Sequence, residues 1–101
     1  MSVKSYGLTR TSDDLDTRRR KALYHAWHRG TREMDLLLGR FADAHIADLT
    51  DDELGAFERL MEVPDRDLFG WILGREPTPD NYKGPVTDKV LAFALANPLT
   101  G

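Results

Sequence analysis

The stretch His28-Arg29-Gly30-Thr31-Arg32-Glu33 decides the fold. One apolar-periodic run enters it at Ala26-Trp27, and a second leaves it through Met34, Leu37, Leu38 and Phe41. A single glycine separates the two runs. That spacing predicts two helices meeting at a tight corner, with Arg29 and Glu33 flanking it and projecting from the same side.

Upstream of the corner, Leu15, Ala22, Leu23, Ala26 and Trp27 fall on one helical stripe. The polar, acidic segment 12–16 suits the start of that helix, through capping and the positive end of the helix dipole. Arg18, Arg19, Arg20 and Lys21 form a basic cluster. Such a run serves either as a phosphate-binding patch or as the solvated side of a helix, and Asp14 and Asp16 stand close enough to pair with it. The solvated side is the expected role.

Downstream, Met34, Leu37, Leu38, Phe41, Ala42 and His45 make the stripe of a second helix over about 31–47. Thr50-Asp51-Asp52-Glu53 has the form of a capping box: the Thr50 hydroxyl accepts from the Glu53 backbone N–H, and the Glu53 carboxylate reaches back. A third helix then carries Leu54, Phe57, Leu60 and Met61 and stops at Val63-Pro64. Asp65 is the expected N-cap of a fourth. Its Leu68, Phe69, Trp71, Ile72 and Leu73 are so nearly continuous that the helix should be wedged between others, with Gly74 as a left-handed cap. Segment 75–85 holds Pro77, Pro79, Gly84 and Pro85 and reads as a surface loop. A fifth helix over 87–96 places Val90, Leu91, Ala94 and Leu95 inward, and Asn97-Pro98 ends it. No period-2 run of useful length and no internal repeat occurs. The expected fold is all-α, a compact five-helix bundle. Its expected layout is a flexible N-terminal tail 1–12, a single helical-bundle domain 13–97 and a C-terminal tail 98–101.

The 101 residues suffice for one small domain. Charged residues make up 31% of the chain, which fits a soluble globular protein. No apolar run approaches the roughly 20 residues that span a bilayer, so no membrane insertion is expected. The absence of cysteine excludes disulfides, thiolate catalysis and zinc–thiolate or iron–sulfur ligation by the chain. The N-terminus has no apolar segment of the kind a secretory signal needs, and Asp13, Asp14 and Asp16 count against a mitochondrial presequence. The expected address is cytoplasmic. A net charge of -3 disfavours a general nucleic-acid footprint.

The corner supports two readings. Locally, Gly30 can take a positive φ, Arg29 in the last turn of the first helix complements its negative end, and Glu33 in the first turn of the second complements its positive end. Functionally, any cation would serve at position 29, and Asp or Ser would serve at position 33. The corner instead combines a planar guanidinium, a bare backbone and a carboxylate one turn on, which suits docking of a partner's backbone or a polar cofactor edge.

Arg29-Gly30-Thr31-Arg32-Glu33 also fits the pattern Arg-Gly-x-x-Glu. With Met34-Asp35, Phe41, Leu49-Thr50-Asp51-Asp52-Glu53, Phe57, Leu60-Met61-Glu62, Asp67-Leu68-Phe69 and Trp71-Ile72, it resembles the SdhE/Sdh5 family, the small flavinylation (FAD assembly) factors of succinate dehydrogenase. The resemblance implies a five-helix bundle that binds the flavoprotein subunit of succinate dehydrogenase and, in some bacteria, that of fumarate reductase. It implies that the protein promotes covalent attachment of FAD to a histidine of that client. The bond-forming chemistry would lie with the flavoprotein and flavin themselves. By match of position, Arg29, Gly30 and Glu33 would form the client-binding surface, with Asp35 as a further candidate. The factor itself would be no enzyme and would hold no tightly bound cofactor. Its compartment would be the bacterial cytosol, or the mitochondrial matrix in a eukaryote.

Other constellations stand beside this one. His25 and His28, with His45 on the next helix, could ligate a metal, but His45 suits the core edge and no metal site is expected. Trp27 and Trp71 could stack a flavin; Trp71 is expected in the core, and Trp27 fits either role. The main rival function is a small helical DNA-binding or transcription-regulatory protein, which the tight corner and the arginine run permit and the acidic balance opposes. A third is an enzyme acting alone, with Arg29 and Glu33 as its acid–base groups.

Overall fold

The computed structural model describes residues 14–98. Its helices are α1 (Thr17–Trp27), α2 (Arg32–His45), α3 (Asp51–Met61), α4 (Asp65–Ile72) and α5 (Pro85–Ala96), with a single 3-10 turn at Asp80–Tyr82. No strand occurs among the described residues, so the fold is all-α with five helices. The chain divides between Asp48 and Leu49 into two compact units. Most of the stretches expected as tails, 1–12 and 98–101, lie outside the described residues.

In the first unit α1 and α2 pack on each other as an antiparallel pair. The direction follows from Arg19, near the start of α1, whose Nε donates to the carbonyl of Ile46 just past the end of α2, at 3.0 Å. Asp16 caps α1 by accepting from the Arg19 backbone N–H at 2.8 Å, and its other oxygen pairs with the Arg19 guanidinium at 2.7 Å. Arg20 Nε donates to the Leu15 carbonyl at 2.9 Å. Part of the basic cluster therefore closes the helix start, paired with Asp16 as expected, but Arg19 is largely covered instead of solvated. The predicted stripes are buried except at His45: Leu15, Ala22, Leu23, Ala26 and Trp27, then Met34, Leu37, Leu38, Phe41 and Ala42. Burying each such large side chain contributes about 1.5–3 kcal/mol. His45 is half-buried against the Phe41 ring, with centroids 4.8 Å apart. The second helix ends at His45 rather than Ala47.

In the second unit α3 and α4 each pack against α5. The capping box forms as expected: Glu53 N–H donates to Thr50 Oγ1 at 3.1 Å, and Thr50 N–H donates to Glu53 Oε1 at 2.9 Å. Lys89 on α5 pairs with the other Glu53 oxygen at 3.0 Å. These donors stabilise the ionised carboxylate, the Thr50 amide most, and hold it below the usual carboxylate range.

Three local expectations change. Pro64, not Asp65, is the N-cap of α4, so no side chain caps that end and Asp65 becomes the first helical residue. Helix α5 begins at Pro85, because a ring-fixed φ suits the first helical position, where the missing N–H costs no bond. The stretch expected as open loop is tied down. Tyr82 lies 5.4 Å from the Trp71 ring centre, the Arg59 guanidinium sits 5.0 Å from the Tyr82 ring centre, and Arg59 also donates to the Asn81 carbonyl at 2.7 Å. Thr87 Oγ1, buried, donates to the Tyr82 carbonyl.

Burial corrects two faces. In and just after α4, Leu68 and Trp71 are buried, Phe69 and Ile72 are half-buried, and Leu73 is exposed, so the helix is not enclosed all round. In α5, Val86, Thr87, Val90 and Ala94 are buried, Leu91 is half-buried, and Leu95 is 80% exposed instead of inward. Gly74 takes φ +75 as expected, and a Schellman motif closes α4: Gly74 N–H bonds Trp71 O and Arg75 N–H bonds Gly70 O.

Candidate functional site: the α1–α2 corner

Helix α1 stops at Trp27 because His28 leaves helical geometry, with φ -129 and ψ 52. Helix α2 starts after Thr31, whose hydroxyl accepts from the Met34 N–H at 3.4 Å. Arg29 and Gly30 therefore stand between the helices. Arg29 is not in the last turn of α1, as capping logic expected, but in the connection itself.

Gly30 has φ +118, a region where a Cβ is strained, and a Cβ built there would meet nothing within 4 Å. Its backbone faces open space. Arg29 beside it is half-buried, and Glu33 is exposed in the first turn of α2. A carboxylate there complements the positive helix end without being consumed by a cap. Asp35, expected at the client surface, turns back onto the corner: its Oδ1 accepts from the Arg29 N–H and, at 3.2 Å, from the Gly30 N–H.

On the α1 side, His28 stacks on Tyr24 with ring centroids 3.8 Å apart and planes 16° apart, and its Nδ1 lies 2.7 Å from the Tyr24 carbonyl. Tyr24 is 61% exposed, so this pair forms an aromatic platform beside the corner. The platform goes beyond the sequence expectation, in which His28 opens the corner stretch and is a metal candidate. The signal was an aromatic–imidazole pair four residues apart on one helix, the spacing that brings side chains together. Thr17, Arg20, Lys21, Tyr24 and His25 line an open groove of about 230 Å³ along the same helix.

Trp27 is buried, and both of its features are used within the unit. The indole N–H donates to Asp43 Oδ1 at 3.1 Å, and the ring occupies the space where Gly39 would carry a Cβ, 2.2 Å from Cδ2. Trp71 is buried too, as expected. Among the described residues, no group of three or more His, Asp or Glu is placed to hold a metal ion. The corner brings together the half-buried Arg29, a glycine with open space where a side chain would stand, and the exposed Glu33 carboxylate. These groups suit charge-assisted contacts with another macromolecule.

The chain is similar to the FAD assembly factor SdhE of Acetobacter pasteurianus, at 38% identity over 79 residues, covering 78% of this chain and 72% of that protein. It is similar to the mitochondrial succinate dehydrogenase assembly factor 2 of Yarrowia lipolytica, at 34% over 98 residues, covering 93% and 68%. The assembly factor of the same name from Dictyostelium discoideum is 36% identical over 86 residues, covering 85% and 61%. A family model described as Sdh5, flavinator of succinate dehydrogenase, matches residues 20–94, a span that contains the corner, the capping box and all of α2 to α4. The chain belongs to this Sdh5/SdhE family of succinate dehydrogenase flavinators.

Proposed function

We propose that this protein is a FAD assembly factor that binds the flavoprotein subunit of succinate dehydrogenase and promotes covalent attachment of FAD to it. One observation carries the site assignment. In a chain of this family, Arg29 and the exposed Glu33 bracket a glycine at which an added Cβ would meet nothing within 4 Å. The guanidinium and the carboxylate make charge-assisted hydrogen bonds to the client near its FAD site, and Gly30 lets the client's surface approach the peptide. The Tyr24–His28 platform extends the same contact.

The chain works by binding and not by turnover. A factor that prefers one conformer of its client shifts that population by its differential affinity, and the flavinylation-competent conformer then reacts with its own FAD. The bond forms within the flavoprotein, so the flavin belongs to the client and the factor keeps no cofactor of its own. The flavoprotein subunit of fumarate reductase is a second client. The encounter takes place in the bacterial cytosol, or in the mitochondrial matrix of a eukaryote. Among the described residues no helix is long and apolar enough to cross a membrane.

The test is deletion of the gene followed by in-gel fluorescence of covalently bound flavin. Wild-type protein restores the signal, whereas Arg29→Ala and Glu33→Ala fold normally and restore little or none. Full rescue by both variants would overturn the assignment of the corner.

A further inference from the structure

The connection between α1 and α2 runs through Gly30, whose φ is +118. Nothing packs in front of Gly30, and a glycine with positive φ has more backbone freedom to lose than any other residue. Two successive backbone N–H groups, those of Arg29 and Gly30, converge on one oxygen, Oδ1 of Asp35. Convergent N–H groups of this kind make an anion-binding concavity, and here the chain supplies its own anion. Asp35 sits in turn on the first stretch of α2, where its backbone N–H donates to the Thr31 carbonyl at 2.9 Å.

We propose that Asp35 is a positioning residue. It clamps the Arg29–Gly30 backbone to α2, so that the Arg29 guanidinium and the Gly30 peptide are already ordered when the client arrives. This rests on the corner being the docking site. It assigns Asp35 a role through the backbone of its neighbours, distinct from a contact of its own with the client. Binding to a preordered corner avoids the ordering cost that a loose one would carry, and the effect appears as affinity.

Asn and Ala at position 35 separate the two roles. An amide oxygen still accepts both N–H groups but carries no charge; a methyl group accepts neither. In Asp35→Ala, amide hydrogen exchange at Arg29 and Gly30 should accelerate at least tenfold, measured by NMR on the free protein with helicity checked by circular dichroism. Client affinity in a titration with purified flavoprotein subunit should fall about ten- to a hundredfold, the range that loss of a hydrogen bond to a charged group corresponds to. Asp35→Asn should recover most of both. Unchanged exchange in Asp35→Ala overturns the proposal. Exchange restored in Asp35→Asn with affinity still lost also overturns it, in favour of a direct carboxylate contact with the client. Arg29→Ala in the same titration reports on the docking site alone: undiminished affinity there removes the corner as the docking surface, while the exchange measurement still reads the clamp.

Discussion

Gly30 and Gly39 are required for opposite reasons. At Gly30 there is room for a side chain but the backbone forbids one: φ is +118 with open space around it. At Gly39 the backbone is ordinary helix, but the Trp27 indole already fills the space of the missing Cβ. Gly30→Val should therefore destabilise the protein by about 1–2 kcal/mol through backbone strain alone. It should also lose client binding, since the new side chain stands where the partner's surface must come. Gly39→Ala tests packing. In an open helix that change stabilises by up to about 1 kcal/mol. Here it should destabilise by about 1–3 kcal/mol, because the indole must shift in a filled space. Urea unfolding of the two variants reads both effects, and a stabilised Gly39→Ala would contradict the Trp27 placement. The sequence showed that Gly30 lay at a turn; it did not show the use of Gly39 or Asp35. Asp35 caps groups five and six residues upstream, outside the three-residue spacing that marks a capping box, and Gly39 answers to a tryptophan twelve positions away on another helix.

At the level of the element, the start of α3 is the most locally determined feature of the chain. Thr50 and Glu53 satisfy each other's backbone N–H groups, so four consecutive residues suffice to specify it. Thr50→Ala should cost about 1 kcal/mol in urea unfolding. The same box gives a pH dependence. The Thr50 amide, then Lys89, lowers the Glu53 pKa, and the Arg19 amide chiefly lowers that of Asp16. A carboxyl with a depressed folded-state pKa contributes its stability above its unfolded value and loses it as pH falls through the folded one. Melting temperature should thus decline from about pH 5 downward, and Glu53→Gln should decline less steeply over that range. Equal slopes in the two proteins would exclude the box as a source. Helix α5 shows the limit of local reasoning. Val86, Val90, Leu91, Phe93, Ala94 and Leu95 surround most of its circumference, so periodicity alone did not choose the buried side. Packing against α3 and α4 buried Val86, Val90 and Ala94 and left Leu95 in solvent.

For the molecule as a whole, charge separates protein recognition from nucleic-acid recognition. The net charge is -3, and Arg19 and Arg20 are engaged at the start of α1 by Asp16 and by the Ile46 and Leu15 carbonyls. Immobilised duplex DNA should retain none of the protein even at low salt, where phosphate contacts are strongest; retention that falls with added salt would revive the DNA-binding reading. The sequence by itself determined the five helices, most of their ends, the buried stripe of α1 and α2, and the corner pattern of the family. Those features rest on spacing, capping and turn chemistry within a few residues of each other. The tertiary structure decided what depended on distant partners: that Trp27 serves packing, that Tyr24 and His28 form a platform, that the proline-rich stretch is pinned through Tyr82, and that Asp35 faces its own backbone. In each case the deciding contact is a direction taken by a side chain in the folded unit, and linear spacing leaves that direction open.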